Sequence, residues 1–141
     1  MMIEVDTDKT RLDLDVIHGF LQQSYWAAGI PREVVERSIE HSLCFGVYVD
    51  GAQAGFARII SDYATFAYLA DVFVLEAFRG QGLSKRLMET IVGHPRLRGL
   101  RRWSLATRDA HGLYAQFGFT PLASPARYME RADPDVYTRQ T

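Results

Sequence analysis

One junction constrains this chain more than any other feature. The stretch Thr65–Leu75 runs directly into Glu76-Ala77-Phe78-Arg79-Gly80-Gln81-Gly82-Leu83-Ser84. Side-chain alternation puts Phe66, Tyr68, Ala70, Val72 and Val74 on one face, and Ala67, Leu69, Asp71, Phe73 and Leu75 on the other. Both faces are apolar apart from Asp71, so the pattern predicts a central strand covered on both sides. Beyond the glycines, Leu83, Leu87, Met88, Ile91 and Val92 recur at helical spacing. This predicts an amphipathic helix from Gln81 to Val92, ended by Gly93-His94-Pro95. The chain therefore passes from a buried strand, through glycines, into the start of a core-anchored helix.

That geometry suits an anion. The first N–H groups of a helix lack partners within it, and the helix dipole adds positive character there. Glycines remove the Cβ atoms that would hold a phosphate away. Arg79 and Lys85 add charge. Two familiar phosphate motifs do not fit. A Walker loop needs a Gly-Lys pair, which this turn lacks. The dinucleotide fingerprint needs a third glycine where Lys85 stands, and an acidic residue further on that is missing at the expected spacing.

The rest of the chain supplies the setting. Met2–Val5 reads as a short strand, Thr10-Arg-Leu-Asp13 opens a first helix, and Pro31 opens a second. Leu43–Val49 and Ala54–Ile60 read as strands about an Asp50-Gly51 hairpin turn. Trp103–Ala106 is a short strand, and Ala110–Gln116 a short helix with Gly118 as its C-cap. Phe117–Leu122 and Arg127–Glu130 read as two closing strands. The order β, αα, βββ, α, β, α, ββ predicts an α/β domain with a mixed sheet. With 141 residues and 48% hydrophobic content, one domain over 1–141 can bury its own core.

Arg79-Gly80-Gln81-Gly82-Leu83-Ser84 resembles the Q/R-x-x-G-x-G/A signature of the N-acetyltransferases of the GNAT family, with Ser84 in place of the last Gly or Ala. Leu113-Tyr114 followed by Gly118-Phe119 resembles that family's later motif, and the spacing between the two matches agrees. From about Leu43 onward, the element order agrees as well. The resemblance implies a largely antiparallel mixed sheet flanked by helices. It implies acetyl-CoA as acyl donor, wedged where the strand Phe66–Leu75 splays from Trp103–Ala106. Backbone groups of Phe73, Val74 and Leu75 would hold the pantetheine arm and stabilise the oxyanion. Arg79, Gly80, Gln81, Gly82, Leu83 and Ser84 would hold the pyrophosphate. Tyr114 would be the acid that protonates the leaving thiolate, and Asp109 would stand where relatives place a cofactor-contacting Asn.

The chemistry also follows from the reaction itself. An aliphatic amine has a pKa of roughly 10 and must lose a proton before it attacks a thioester. The oxyanion then needs a preorganised donor. Asp71 is a carboxylate on an apolar strand, which suits either a base or a partner for an arginine; water is the other base. Tyr25 and Trp26 end the first helix, placed to line an acceptor pocket or to pack in the core.

Other features narrow the field. Net charge is −1, which disfavours a nucleic-acid partner or an anionic membrane surface. No run approaches the ~20 apolar residues of a membrane span. The N-terminus does not read as a signal peptide, and the single cysteine, Cys44, forms no internal disulfide, so a cytoplasmic setting is expected. Cys44 reads as a packed strand residue rather than a nucleophile. The four histidines show no metal-ligand spacing, so no metal is expected. The run Arg96, Arg98, Arg101 and Arg102 reads as a solvated face or a site for the 3′-phosphate of CoA. These points together predict an N-acetyltransferase that acts on a primary amine of a small molecule, with a homodimer left open. A non-catalytic acyl-CoA-binding or sensor module on the same fold is the rival reading.

Overall fold

The structure is a computed structural model and describes residues 1–139. Five strands form one sheet in the order β1-β2-β3-β4-β5: β1 (Ile3–Asp6), β2 (Leu43–Val49), β3 (Ala52–Ser61), β4 (Phe66–Val74) and β5 (Arg102–Leu105). The first four strands pair antiparallel and β5 joins β4 in parallel, so the sheet is mixed, as the sequence predicts. The β2–β3 hairpin turns at Asp50 and Gly51, both with positive φ, where the Asp-Gly pair was expected.

Helices cover both faces. α1 (Leu14–Leu21) starts at Asp13, whose carboxylate caps the Val16 amide, and α2 (Arg32–Glu40) follows Pro31. Ile17 and Leu21 of α1 and Val35 of α2 pack with Cys44, Phe56 and Phe73 on one face of the sheet. On the other face, α3 (Leu83–Val92) lays down Leu83, Leu87, Met88 and Ile91, all buried, against Phe45, Val47, Ile59 and Leu69. Alternate residues of β2 feed the two layers, which is why every one of its residues is buried. No helix among the described residues is long and apolar enough to cross a membrane.

Two expectations need correction. The first concerns the faces of β4. Phe73 pairs with Phe56 but Ala70 pairs with Arg58, so three steps on β4 match two on β3. The extra residue is a bulge at Asp71, whose φ is +54°. Strict alternation holds up to the bulge and is inverted beyond it. Ala67 and Leu69 face the α3 layer, and after the bulge Val72 and Val74 do. Asp tolerates left-handed backbone better than most residues, which suits the one polar residue of the strand to that position.

The second correction concerns the end of the chain. Phe117–Leu122 and Arg127–Glu130 are not strands. They run as turns and coil, with a 3-10 turn at Pro125–Arg127. Pro121 and Pro125 remove backbone donors, and β4 is the only described partner of β5. The apolar residues are used through side chains instead: Phe119 sits edge-on to both Trp103 and Tyr114. A short helix, α4 (His111–Ala115), carries Tyr114, and Gly118 follows it at φ +90°.

Candidate active site

The bulge sets up the site. Pairing between β4 and β5 runs from Phe66↔Arg102 to Leu69↔Leu105 and stops just before Asp71. Beyond it the two strands part. The Leu75 amide donates to the Ala54 carbonyl at 2.8 Å, on the β3 side. Backbone direction alternates along a strand, so the Val74 amide faces the opening gap. The Val74 carbonyl, also on that side, accepts from Arg79 Nε at 3.2 Å. Of the three residues expected to serve the donor through their backbone, Phe73 and Val74 line the gap, while Leu75 is turned away and its amide is occupied.

The glycine turn lies at the mouth of the gap. Gly80 and Gly82 have φ of +80° and +75°, and a Cβ at either would meet open space. Glycine is favoured there by backbone conformation rather than by crowding within the protein. Gly82 is the N-cap of α3 and offers no side-chain cap, so the first amides of α3 are left for another acceptor. The helix begins at Leu83, two residues later than the sequence suggests. Arg79, Gly80, Gly82, Leu83, Ser84 and Lys85 line a cleft of about 900 Å³, whereas Gln81 does not.

A second cavity, of about 610 Å³, opens on the α2 side of the gap and is lined by Arg58, Tyr68, Asp71 and Tyr137 among others. Tyr25, Trp26, Val72, Arg108, Asp109, Ala110 and Tyr114 line both cavities and mark where they meet. Tyr25 and Trp26 are held by a loop that satisfies itself locally. Ser24 Oγ donates to the Leu21 carbonyl at 2.7 Å and accepts from the Ala27 amide at 3.1 Å, and the Gly29 amide reaches the Gln22 carbonyl at 2.9 Å. From this loop Trp26 Nε1 donates to Asp71 Oδ1 at 2.8 Å. The Tyr25 hydroxyl accepts from the Arg108 amide at 3.3 Å, and the Arg108 guanidinium lies 4.0 Å from the Tyr25 ring centroid. The two aromatics thus bridge from the loop after α1 to β4 and to the connection after β5.

Asp71 is bonded through both carboxylate oxygens. Its second oxygen, Oδ2, accepts from Arg58 Nε at 2.9 Å, with side-chain exposures of 16% for Arg58 and 10% for Asp71. Arg58 also reaches Ser42 Oγ at 3.2 Å. Of the two roles its sequence setting allows, the geometry realises the arginine-paired one. Tyr114 is buried on α4, at the junction of the cavities. Burial, with a smaller contribution from nearby Tyr25, pushes its phenol above the ordinary value of 10, so it stays protonated at neutral pH. Asp109 lies between the cavities near the cleft mouth.

Several candidates fall outside the site. Cys44 is 1% exposed and burial pushes its thiol up to about 11, which leaves no thiolate for nucleophilic chemistry. Arg96 stacks on Tyr63, and Arg98 and Arg102 line a separate groove outside β5. No cluster of ligating side chains suited to a metal occurs among the described residues. Tyr137 and Arg58 are the site residues that sequence reasoning missed. The one available signal for Arg58 was an arginine inside the otherwise apolar strand that precedes the one carrying Asp71.

A cleft ending at the open helix amides of the glycine turn, joined to a second cavity at a protonated tyrosine, suits a transferase that brings a phosphate-bearing donor to an acceptor. Comparison with known proteins narrows this. A model of the acetyltransferase (GNAT) family matches residues 13–119. The chain is 56% identical to a Xanthomonas campestris protein assigned to the GNAT family, whose crystal structure covers 99% of both chains at a TM-score of 0.96. It is 29% identical to a Gibberella zeae protein provisionally named an acetyltransferase, covering 79% of this chain and 75% of that one. A Clostridium acetobutylicum protein, also provisionally named an acetyltransferase and crystallised with acetyl-CoA, shares the fold at a TM-score of 0.68 and 12% identity, over 93% and 96% of the two chains. The chain belongs to the GNAT acetyltransferase family, whose members use an acyl-CoA as donor.

Proposed function

We propose that the protein moves an acetyl group from acetyl-CoA to a primary amine of a small molecule. The observation that carries this reading is the position of Tyr114, protonated and buried, at the junction of the phosphate-binding cleft and the second cavity. The donor lies along the gap between β4 and β5, with its pyrophosphate on the amides that open α3. The thioester reaches the Val74 amide, which donates to the oxygen as the carbonyl becomes tetrahedral.

The amine approaches through the second cavity. Asp71 is committed to Trp26 and Arg58, and in this reading water takes the ammonium proton. The nitrogen forms its bond to the acetyl carbon and loses its second proton to water, and the C–S bond breaks as the intermediate collapses. Tyr114 gives its proton to the departing thiolate and recovers one from solvent. Asp71 acts as a positioning residue that holds Trp26 and Arg58 at the cavity wall. In this reading the acetyl-accepting partner is small because the second cavity is bounded on several sides.

Thiol release from acetyl-CoA, measured across a panel of primary amines, tests the reading. Turnover that depends on both substrates is expected. Acetyl-CoA binding without thiol release for any amine would support a non-catalytic acyl-CoA-binding module instead.

A further inference from the structure

The second cavity has a wall from a distant part of the chain. Residues 133–139 bond among themselves. The Val136 amide reaches the Asp133 carbonyl at 3.2 Å, and the Thr138 and Arg139 amides reach the Asp135 carbonyl at 3.1 and 2.9 Å. An Arg139–Asp133 ion pair closes the turn. Among the described residues, the hydrogen bonds of this segment stay within it. Its link to the body of the protein is packing.

That packing is specific. Gly29, at φ +79°, lies under the segment, and a Cβ there would stand 3.3 Å from both the Tyr137 carbonyl oxygen and Thr138 Cγ2. The Tyr137 side chain packs against the cluster that contains Ile17, Ala27 and Ile30, and it lines the second cavity with Tyr25, Trp26 and Tyr68. The chain leading to it is exposed, with Met129 at 98% and Val136 at 48%. Tyr137 is therefore the anchor of an otherwise exposed stretch, set down at the cavity.

The charges of the cavity say what it holds. Arg58 and Asp71 neutralise each other, and the Arg108 guanidinium is stacked on Tyr25. Asp109 lies where this cavity meets the donor cleft, and the rest of the wall open to a ligand body is largely ring and aliphatic surface, from Tyr25, Trp26, Tyr68, Tyr137, Ile30 and Val34. Such a lining favours an apolar or aromatic body over an anionic one.

We propose that the docked segment 133–139 is part of the acceptor site, and that Tyr137 selects amines with an apolar or aromatic body. This rests on the acyl-transfer reading of the same site. Benzylamine and ethanolamine serve as matched probes, one with a ring and one without. Tyr137→Ala is expected to raise the KM for benzylamine ~10-fold, the scale of one lost aromatic contact. Its kcat, its KM for acetyl-CoA and its KM for ethanolamine should stay within about twofold. Tyr137→Phe, which keeps the ring, should restore the benzylamine KM to near the wild-type value. An unchanged benzylamine KM, or an equal rise for both amines, overturns the proposal. If wild type releases no thiol with any amine, the acyl-transfer reading fails. The pocket is then read by ligand-observed NMR of benzylamine binding. Weaker binding in Tyr137→Ala sustains the segment's role, and unchanged or absent binding overturns it.

Discussion

The two ends of the active cleft are built differently. The wall of the donor end that carries the glycine turn is contiguous. β4, the glycine turn and α3 lie within one run of chain from Phe66 to Val92 and follow one another in space. The acceptor end draws on the loop after α1, Arg58 of β3, the bulge of β4, the connection after β5, α4 and the segment near Tyr137. In the proposed reading the donor end presents backbone amides to the acyl-CoA that the family uses. The acceptor end presents side chains, brought together by Trp26, Tyr25 and Arg58. On the proposed reading, local backbone geometry would serve the common donor, and tertiary side-chain packing the individual acceptor.

The largest expected effect lies where the ends meet. Tyr114→Phe should lower kcat by about 10²–10⁴-fold, the usual worth of a positioned general acid, with the KM for acetyl-CoA nearly unchanged. The phenol's pKa is raised, so its acid form persists as pH rises and fails only above the ordinary value of 10. The wild-type pH–rate profile should accordingly show no loss assignable to Tyr114 between pH 6 and 9, a range set by the reference value of ~10. A near-normal kcat for Tyr114→Phe would remove the tyrosine from the junction and leave two unconnected ends.

Next in size is the ion pair that holds the acceptor wall. Arg58→Ala leaves the Asp71 carboxylate largely buried with only Trp26 as partner, and should cost about 2–3 kcal/mol in urea denaturation, a little under the usual cost of breaking a buried pair. Arg58→Lys should recover part of that loss. If Arg58→Ala were as stable as wild type, the acceptor end would be held locally, and the contrast between the ends would weaken.

The smallest effect falls on the donor turn. Gly82→Ala forces a side chain into left-handed backbone at a cost of ~1 kcal/mol, which should appear as a roughly fivefold rise in the KM for acetyl-CoA. The KM for the amine should not move. A change in the amine KM alone would break the division of labour.

Legibility follows the same division. The glycine turn, the helix behind it and the strand before it could be read from residues 65–92, because period, glycine placement and helix start are local signals. Tyr114 was readable as part of a short motif, and its neighbours Tyr25 and Trp26 as aromatics at a helix end. The bulge was not readable, because a single Asp in an apolar strand does not say that the strand's phase will invert there. The two closing strands were expected from apolar alternation at Phe117–Leu122 and Arg127–Glu130. They failed because a strand also needs a partner edge, and Pro121 and Pro125 lie within or beside them. Tyr137 carried no signal at all, since its significance is contact with Gly29, far away in the chain.

By itself the sequence determined the order of elements as far as α4, the two-sided burial of β4 and the glycine turn that opens α3, because each rests on spacing within one segment. Only the tertiary structure decided that Asp71 is bonded at both oxygens, that the Val74 amide rather than Leu75's faces the gap, and that Tyr137 walls the acceptor cavity. Those outcomes depend on which distant groups arrive beside one another. Hydrogen bonds and packing between remote segments form only once the strands have found their register.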